Sequence, residues 1–168
     1  MTLIDSVKEH NFLAGLTDAQ ANKVIALSEE VAFPENQLIL SAREQSRYFY
    51  LVLEGSVAIE VSTRAYVVCI QALGPGEAFG WSALLEHHDT MFQVRARENC
   101  RALRIDAADL AQALRNDREL AVEILSRALK LAAERVLGTE ARLGELCGVR
   151  VPKRLAEIRP GPGLKPNL

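Results

Sequence analysis

The sequence is short of the residues that build disulfide frameworks and metal sites. It has only three cysteines in 168 residues, and no two of them form a C-x-x-C pair. Their wide spacing argues against a disulfide framework and against a zinc or iron–sulfur centre. We therefore predict no metal, no cofactor, and buried or inert thiols at Cys69, Cys100 and Cys147.

An excess of charge of one sign and long apolar runs are also lacking. Twenty Lys and Arg residues against 22 Asp and Glu residues give a net charge of −2, so no chain-wide basic field exists to hold nucleic acid. Apolar runs such as residues 65–70 fall far short of the roughly 20 residues that span a bilayer. Residues 1–20 carry Asp5 and Glu9 and do not resemble a secretory signal. We expect a cytoplasmic protein with no membrane contact.

The composition is that of an ordinary globular protein, with 49% hydrophobic and 25% charged residues, and the length suits a single domain. Thr17-Asp18-Ala19-Gln20 is a capping box, which predicts a helix that begins there and continues to about Glu29. Turn chemistry at residues 33–36 ends this segment.

Six short runs rich in Val, Ile, Leu, Tyr and Phe follow, separated by turns, and we predict each to be a strand. They are residues 37–42, 48–53, 56–61, 66–72, 91–97 and 100–105. Within residues 56–61 the larger apolar side chains alternate with small or polar ones, as in a sheet with one buried face. The pattern predicts a mainly β protein with flanking helices, whose antiparallel sandwich or barrel covers about residues 34–105.

Two helices are predicted after the strands. Asp106 caps a short one over residues 107–114, and Asn116-Asp117 begins a longer one. Leu120, Ile124 and Leu131 form one apolar row on the longer helix, which we expect to pack on the β domain.

A second apolar row on the long helix has the 3-4 spacing of a coiled-coil seam. It consists of Val122, Leu125, Leu129, Ala132, Val136, Thr139, Leu143 and Leu146. Two apolar faces predict two partners, so we expect a homodimer through Val122, Leu125, Leu129, Ala132 and Val136. The alternative is a helix buried within its own domain. Gly138 and Gly144 predict fraying of the helix after about residue 138.

Residues 148–168 are predicted to be a flexible basic tail, which places the end of the folded domain at residue 147. This segment holds five basic residues against Glu157 alone, together with four prolines and the run Pro-Gly-Pro-Gly. A solubilising terminus is favoured over a contact with nucleic acid or an acidic partner.

Four local motifs, in this order of elements, resemble the cyclic-nucleotide-binding domain family, typified by bacterial catabolite activators and fumarate-nitrate regulators. The motifs are Tyr-Leu-Val-Leu-Glu-Gly-Ser-Val at 50–57, Leu-Gly-Pro-Gly-Glu-Ala-Phe-Gly at 73–80, Val-Arg-Ala at 94–96 and Asn-Asp-Arg-Glu-Leu at 116–120. The resemblance covers about residues 12–137. It implies an antiparallel β-roll of jelly-roll type, also called a double-stranded β-helix, followed by a long dimerisation helix. It also implies a sensor in signal transduction, and no catalytic constellation is visible, so we do not expect an enzyme.

The resemblance fails at the residues that define the family's ligand. In that family a cassette begins Phe-Gly-Glu and ends Arg-Ser/Thr-Ala. The Glu accepts from the ribose hydroxyl, and the Arg pairs with the cyclic phosphate. Here Trp81 follows Phe79-Gly80, and Thr90 stands where counting back from Val94-Arg95-Ala96 places the arginine. The loop is one residue short, but a slip to Asp89 or Met91 restores no cation.

Losing the partner of a buried charge costs about 3–5 kcal/mol, which weakens binding by about a hundredfold or more. The long helix carries Arg135 and Val136 where relatives that bind cyclic AMP often have hydroxyl residues. We therefore expect a pocket for a small ligand other than tightly bound cyclic AMP. Its expected residues are Phe79, Gly80, Trp81, Ser82, Ala83, Thr90, Met91 and Arg135.

Two other interpretations stay open. In one, Trp81 fills the pocket, and the chain is a ligand-free dimeric module whose helix and basic tail recruit a protein partner. In the other, which is weaker, His87 and His88 beside Asp89 hold a metal or haem; a solvated loop is favoured there. Transcription factors of the family continue into a winged helix-turn-helix, and the short Pro-rich remainder here leads us to expect no binding to a specific DNA site by this chain alone.

Overall fold

The structure is a computed structural model that describes residues 7–85 and 89–149. In this part of the chain eight strands alternate with short connections, and three α-helices flank them. The strands are β1 (Ser28–Phe33), β2 (Leu38–Leu40), β3 (Tyr48–Glu54), β4 (Val57–Ser62), β5 (Val67–Leu73), β6 (Ala78–Phe79), β7 (Gln93–Ala96) and β8 (Cys100–Asp106). The helices are α1 (Asp18–Ala26), α2 (Ala107–Asn116) and α3 (Arg118–Leu146), with one 3-10 turn at Trp81–Leu84.

The strands form two four-stranded sheets, with the orders β1-β8-β3-β6 and β2-β7-β4-β5. Neighbouring strands pair antiparallel throughout both sheets. The chain crosses repeatedly between the sheets, so distant segments such as β1 and β8 become neighbours. This arrangement confirms the predicted antiparallel β-roll with a long C-terminal helix.

The roll begins earlier than the sequence predicts, at residue 28 rather than 34. Helix α1 ends at Ala26, where the Ser28 hydroxyl donates to the carbonyl of Ile25 at 2.7 Å. Strand β1 then pairs with β8 along its whole length, from Ser28 opposite Ile105 to Phe33 opposite Cys100. The prediction of helix through Glu29 was therefore wrong, because pairing with a strand about 70 residues away overrides the local helical pattern. The two-residue strand β6 was missed as well.

The predicted helix starts are confirmed. The Thr17 hydroxyl accepts from the backbone N–H of Gln20 at 3.3 Å, and the Gln20 side chain accepts from the N–H of Thr17 at 3.0 Å. Asp106 and Asp117 accept from backbone N–H groups in the first turns of α2 and α3, at 2.9 and 3.0 Å. Each side chain satisfies a donor that has no partner within its helix.

Alternation along the central strands places two cores on opposite faces of one sheet. Phe49 and Leu51 of β3 pack against the helices, together with Leu120 and Ile124 of α3. Val52 of β3 and its neighbours Tyr50 and Phe79 pack in the second core. Leu120, Ile124 and Leu131 are all buried, as predicted for the row that faces the β domain.

Helix α3 does not fray at Gly138 and continues to Leu146. Gly138 is buried against β5, where a Cβ atom would lie 1.5 Å from Nε2 of Gln71. One turn later Arg142 donates to the carbonyl of Cys69 at 3.2 Å and pairs with Glu145 at 2.7 Å. The glycine therefore permits a close approach that stabilises the end of the helix instead of weakening it.

None of the described helices combines the length and apolar character needed to cross a bilayer. Helix α3 ends at Leu146, and Cys147 is its C-cap. The basic tail predicted over 148–168 lies outside the described residues from position 150 onward.

Candidate functional site

A cavity of about 320 Å³ lies between the β-roll and the C-terminal half of α3. This volume is at the lower end of the roughly 300–1,000 Å³ typical of ligand pockets. The roll contributes Leu40, Ile59, Gln71, Phe79, Gly80, Trp81, Ser82, Thr90, Phe92 and Val94, and α3 contributes Arg135, Val136, Thr139 and Glu140.

Six of the eight residues predicted for the pocket line this cavity, namely Phe79, Gly80, Trp81, Ser82, Thr90 and Arg135. Two do not. Met91 is 70% exposed, because the chain bends at this residue while its neighbours Thr90 and Phe92 line the cavity. Ala83 lies in the 3-10 turn and lines a different cleft.

The sequence interpretation missed several cavity residues on the strands and on α3. Ile59 and Val94 belong to the inward-facing set of their strands, which alternation along β4 and β7 could have revealed. Gln71 is a buried amide in an apolar strand, which is an unusual position that the prediction overlooked. Val136 was predicted only for the dimer seam, yet it lies in the cavity wall too.

The turn at Gly80 positions the first residues of the site. Gly80 has φ +77°, and a Cβ atom there would lie 2.6 Å from the backbone oxygen of Tyr48. Only glycine fits this left-handed conformation against β3 without strain. The turn directs the chain from β6 into the 3-10 turn that begins with Trp81.

Trp81 is half-buried and forms part of the cavity wall, and it also packs at the edge of the core beneath the helices. The cavity of about 320 Å³ is what remains with the indole in place.

Arg135 supplies a cation to the cavity from the opposite side, on α3. One terminal nitrogen donates to the carbonyl of Ala78 at 2.7 Å, and the other donates to Oε1 of Gln71 at 3.4 Å. Its Nε is buried and has no hydrogen-bond partner among the described residues. Burial lowers the pKa of the guanidinium below its usual value, and the more distant carboxylates of Glu77 and Glu134 offset part of this effect.

Among the described residues, the other polar groups of the cavity carry no positive charge. The Thr139 hydroxyl donates to the carbonyl of Arg135 within its own helix at 2.8 Å, and the Thr90 hydroxyl accepts from the N–H of Phe92 at 3.0 Å. Glu140 is exposed at the edge of the cavity. Arg135 is therefore the cation of this lining, in otherwise largely apolar surroundings.

A wider cleft of about 810 Å³ lies between the loop after β2, the 3-10 turn and helices α2 and α3. Two of its charged groups are engaged, since Arg47 pairs with Asp106 at 2.8 Å and Asp106 also caps α2, whereas Arg115 forms no ion pair among the described residues. The remaining wall is mainly Ala and Leu.

The predicted dimer seam is an exposed apolar row on α3. Leu129 is 73% exposed and Val122 is 64% exposed, and Leu125 and Val136 are also exposed, whereas Ala132 is half-buried. The alternative of a seam buried within its own domain is therefore wrong. Since Val136 lies both in the seam and in the cavity wall, the two surfaces are adjacent on one helix.

Among the described residues, no group of three or more His, Cys, Asp or Glu side chains could hold a metal ion. His87 and His88, the weaker metal or haem candidates, lie outside the described residues. Burial raises the pKa of the Cys100 thiol to about 11, with Glu98 adding to the effect, and burial also raises that of Cys69. Raised pKa values fit the predicted inert thiols at these two positions.

Comparison with solved structures supports the assignment of the fold. A protein from Geobacter metallireducens that is named for cyclic nucleotide binding is 26% identical, with a TM-score of 0.69 over 81% of this chain and 99% of that chain. A cyclic nucleotide-binding domain from Methylobacillus flagellatus is 17% identical, with a TM-score of 0.76 over 89% of this chain and 86% of that chain.

The catabolite activator protein of Thermus thermophilus is 20% identical, with a TM-score of 0.67 over 82% of this chain and 63% of that chain. The family model for the cyclic nucleotide-binding domain matches residues 30–117, just over half of the sequence. The matched range spans strands β2 to β8, the turn at Gly80 and helix α2. The chain belongs to the cyclic nucleotide-binding domain family.

Proposed function

We propose that this chain is a dimeric cytoplasmic regulator that senses a small ligand other than tightly bound cyclic AMP. The observation that carries the proposal is the cavity beneath α3, whose wall includes Trp81 and Thr90, the residues that the family resemblance aligns with its carboxylate and arginine. The volume suits a small molecule, and Arg135 gives it a specific polar contact.

The positions of the charged side chains in the cavity disfavour tight binding of a cyclic nucleotide. The cassette positions at Trp81 and Thr90 offer a cyclic phosphate no cation and the ribose no carboxylate. Arg135 lies on α3 instead, at a position that the family resemblance assigns to contacts with the base rather than with the phosphate. A nucleotide bound in the family's orientation would therefore leave its phosphate without a charged partner.

Helix α3 connects the ligand cavity to the exposed seam. Arg135 and Thr139 line the cavity, and Val136 belongs both to the cavity wall and to the exposed seam. A ligand that binds one position of α3 more tightly than another shifts the population toward that position. Such a shift would rearrange the seam, and with it the dimer or a surface for a protein partner.

The seam supports a second copy of this chain as the dimer partner. Its exposed apolar residues follow coiled-coil spacing from Val122 to Val136, and a row of this kind on one helix is self-complementary about a twofold axis. An apolar surface of this extent is unusual on a monomeric protein.

Changing Leu125 and Leu129 to glutamate tests the dimer. L125E/L129E places two like charges in the seam of each copy, so we expect a monomer by light scattering where the unmodified protein is a dimer. Y66E/V67E is the matched control, because it alters two exposed apolar residues outside α3. A monomeric unmodified protein, or a dimer that survives L125E/L129E, would contradict the proposed interface.

The alternative, a ligand-free interaction module, is favoured by the packing of Trp81 against the core. Acrylamide quenching of Trp81, which is the single tryptophan of the chain, separates the two functions. We expect clear quenching without any added ligand, since the indole lines an open cavity. Complete protection would favour the plugged module.

A further inference from the structure

We infer that the cavity beneath α3 takes a small organic monoanion whose charged group pairs with Arg135 and whose apolar body fills the remaining space. This inference rests on the proposed ligand-sensing function. It names the chemical class of the ligand and the residue that selects it.

Arg135 is incompletely paired. Its two terminal nitrogens contact only neutral oxygens, on Ala78 and Gln71, and the second contact is long at 3.4 Å. Its Nε has no partner among the described residues, and none of the ion pairs in the described part includes Arg135. A buried cation that lacks a counter-charge is unfavourable, and a bound anion would neutralise it.

Arg142 on the same helix has the carboxylate partner that Arg135 lacks, although its Nη2, like Nε of Arg135, has no hydrogen-bond partner among the described residues. It lies two turns further along α3, is more deeply buried, and pairs with Glu145 at 2.7 Å. It does not belong to the cavity lining. The difference between these two arginines is therefore the missing carboxylate at Arg135, next to an open volume.

The charged residues around the cavity limit the negative charge that a bound ligand can carry. Arg135 is the cation of the lining, while Glu140 lies at the cavity edge and Glu77 and Glu134 act on Arg135 from a distance. The described lining holds no cation besides Arg135, so a second negative charge on the ligand would lie near Glu140 without a partner. One anionic group is thus accommodated, and two are not.

The apolar wall and the volume of the cavity determine which ligand body it can hold. Most of the remaining wall is apolar, with Leu40, Ile59, Phe79, Phe92 and Val94 on the roll. The volume of about 320 Å³ corresponds to about ten water molecules at ~30 Å³ each. An acid with a single ring or a short chain fits this space better than a nucleotide, whose sugar hydroxyls would lack partners here.

Trp81 reports binding directly, because it is the only tryptophan and it lines the cavity. The experiment titrates benzoate, its neutral analogue benzamide, and phenyl phosphate against Trp81 emission. The proteins are the unmodified chain, R135Q and the matched control R142Q. Benzoate and benzamide have nearly the same shape, so their affinity ratio isolates the negative charge.

We expect saturable binding of benzoate about 10- to 100-fold tighter than of benzamide, as expected for a hydrogen bond between charged groups. Phenyl phosphate, which carries close to two charges at neutral pH, should bind more weakly than benzoate. R135Q should reduce the benzoate affinity to that of benzamide, and R142Q should preserve the preference.

Equal affinities for benzoate and benzamide, a preference that survives R135Q, or tighter binding of phenyl phosphate would overturn the inference while leaving a ligand-binding cavity. The absence of a saturable change with all three probes would overturn both the inference and the proposed sensing function. The benzoate-to-benzamide ratio of the unmodified protein decides the matter even if R135Q does not fold.

Discussion

At the scale of single residues, the buried polar groups that lack a full set of partners are the most sensitive positions. His10 is one of them. Its side chain is 4% exposed, its Nδ1 accepts from the N–H of Phe12 at 3.1 Å, and its Nε2 has no partner among the described residues. Burial lowers the pKa of His10 below 6.5, and the backbone carbonyls of Glu77 and Val52 offset part of that effect.

This lowered pKa predicts a loss of stability in mild acid. The unfolded chain binds a proton at His10 near pH 6.5, whereas the folded chain does so only at lower pH, so the free energy of unfolding falls as the pH decreases from about 6.5. Denaturant unfolding between pH 7.5 and 5 measures this slope. H10Q should reduce it, and equal slopes for the two proteins would rule out His10 as its source.

Gly80 is a second sensitive position because of its left-handed conformation. G80A places a Cβ atom 2.6 Å from the backbone oxygen of Tyr48, which cannot move easily within β3. We expect G80A to lower the free energy of unfolding by about 1–3 kcal/mol and to shift Trp81 emission. G74A is the control, since nothing lies within 4 Å of its added atom. Equal stability of G80A and G74A would show that the turn tolerates a side chain.

At the scale of elements, the position of α3 over β5 decides how the cavity is closed. Gly138 contacts Gln71, and Gln71 in turn contacts Arg135. Arg142 holds the next turn to the carbonyl of Cys69. The helix is thus attached to the roll by polar contacts, while the seam on its outer face stays exposed.

G138A tests this attachment. Alanine improves helix propensity by about 1 kcal/mol, but its Cβ would lie 1.5 Å from Nε2 of the buried Gln71, and overpacking costs about 1–3 kcal/mol. We expect a net loss of stability in thermal unfolding. Q71A added to G138A should recover part of that loss by removing the clash. A stabilised G138A would mean that α3 is not held closely to β5.

At the scale of the whole molecule, the sequence predicted those parts of the fold that depend on contacts between residues close together in the chain. The caps at Thr17, Asp106 and Asp117 were predictable because each involves residues two or three apart. Strand β1 was not, since its pairing partner β8 is distant in sequence and its Glu29 and Glu30 suited a helix equally well.

The candidate site likewise has a part that the sequence predicted and a part that depends on tertiary packing. Phe79, Gly80, Trp81 and Thr90 were found because the family motif fixes their order along the chain. The incomplete pairing of Arg135 could not be predicted, because it depends on which atoms of β5 and β6 the helix meets. The outward orientation of Met91 depends on how the loop enters β7.

Thermal unfolding with and without cyclic AMP or cyclic GMP at about 0.1 mM tests the central claim most directly. A sensor with a micromolar Kd would gain about 2.7 kcal/mol at 100 times its Kd, which raises Tm by several degrees at about 2–4 °C per kcal/mol. Binding that is a hundredfold weaker would raise it by roughly 2 °C or less. We predict the small shift with both nucleotides; a rise of several degrees with either one would contradict the account and identify an ordinary cyclic-nucleotide sensor.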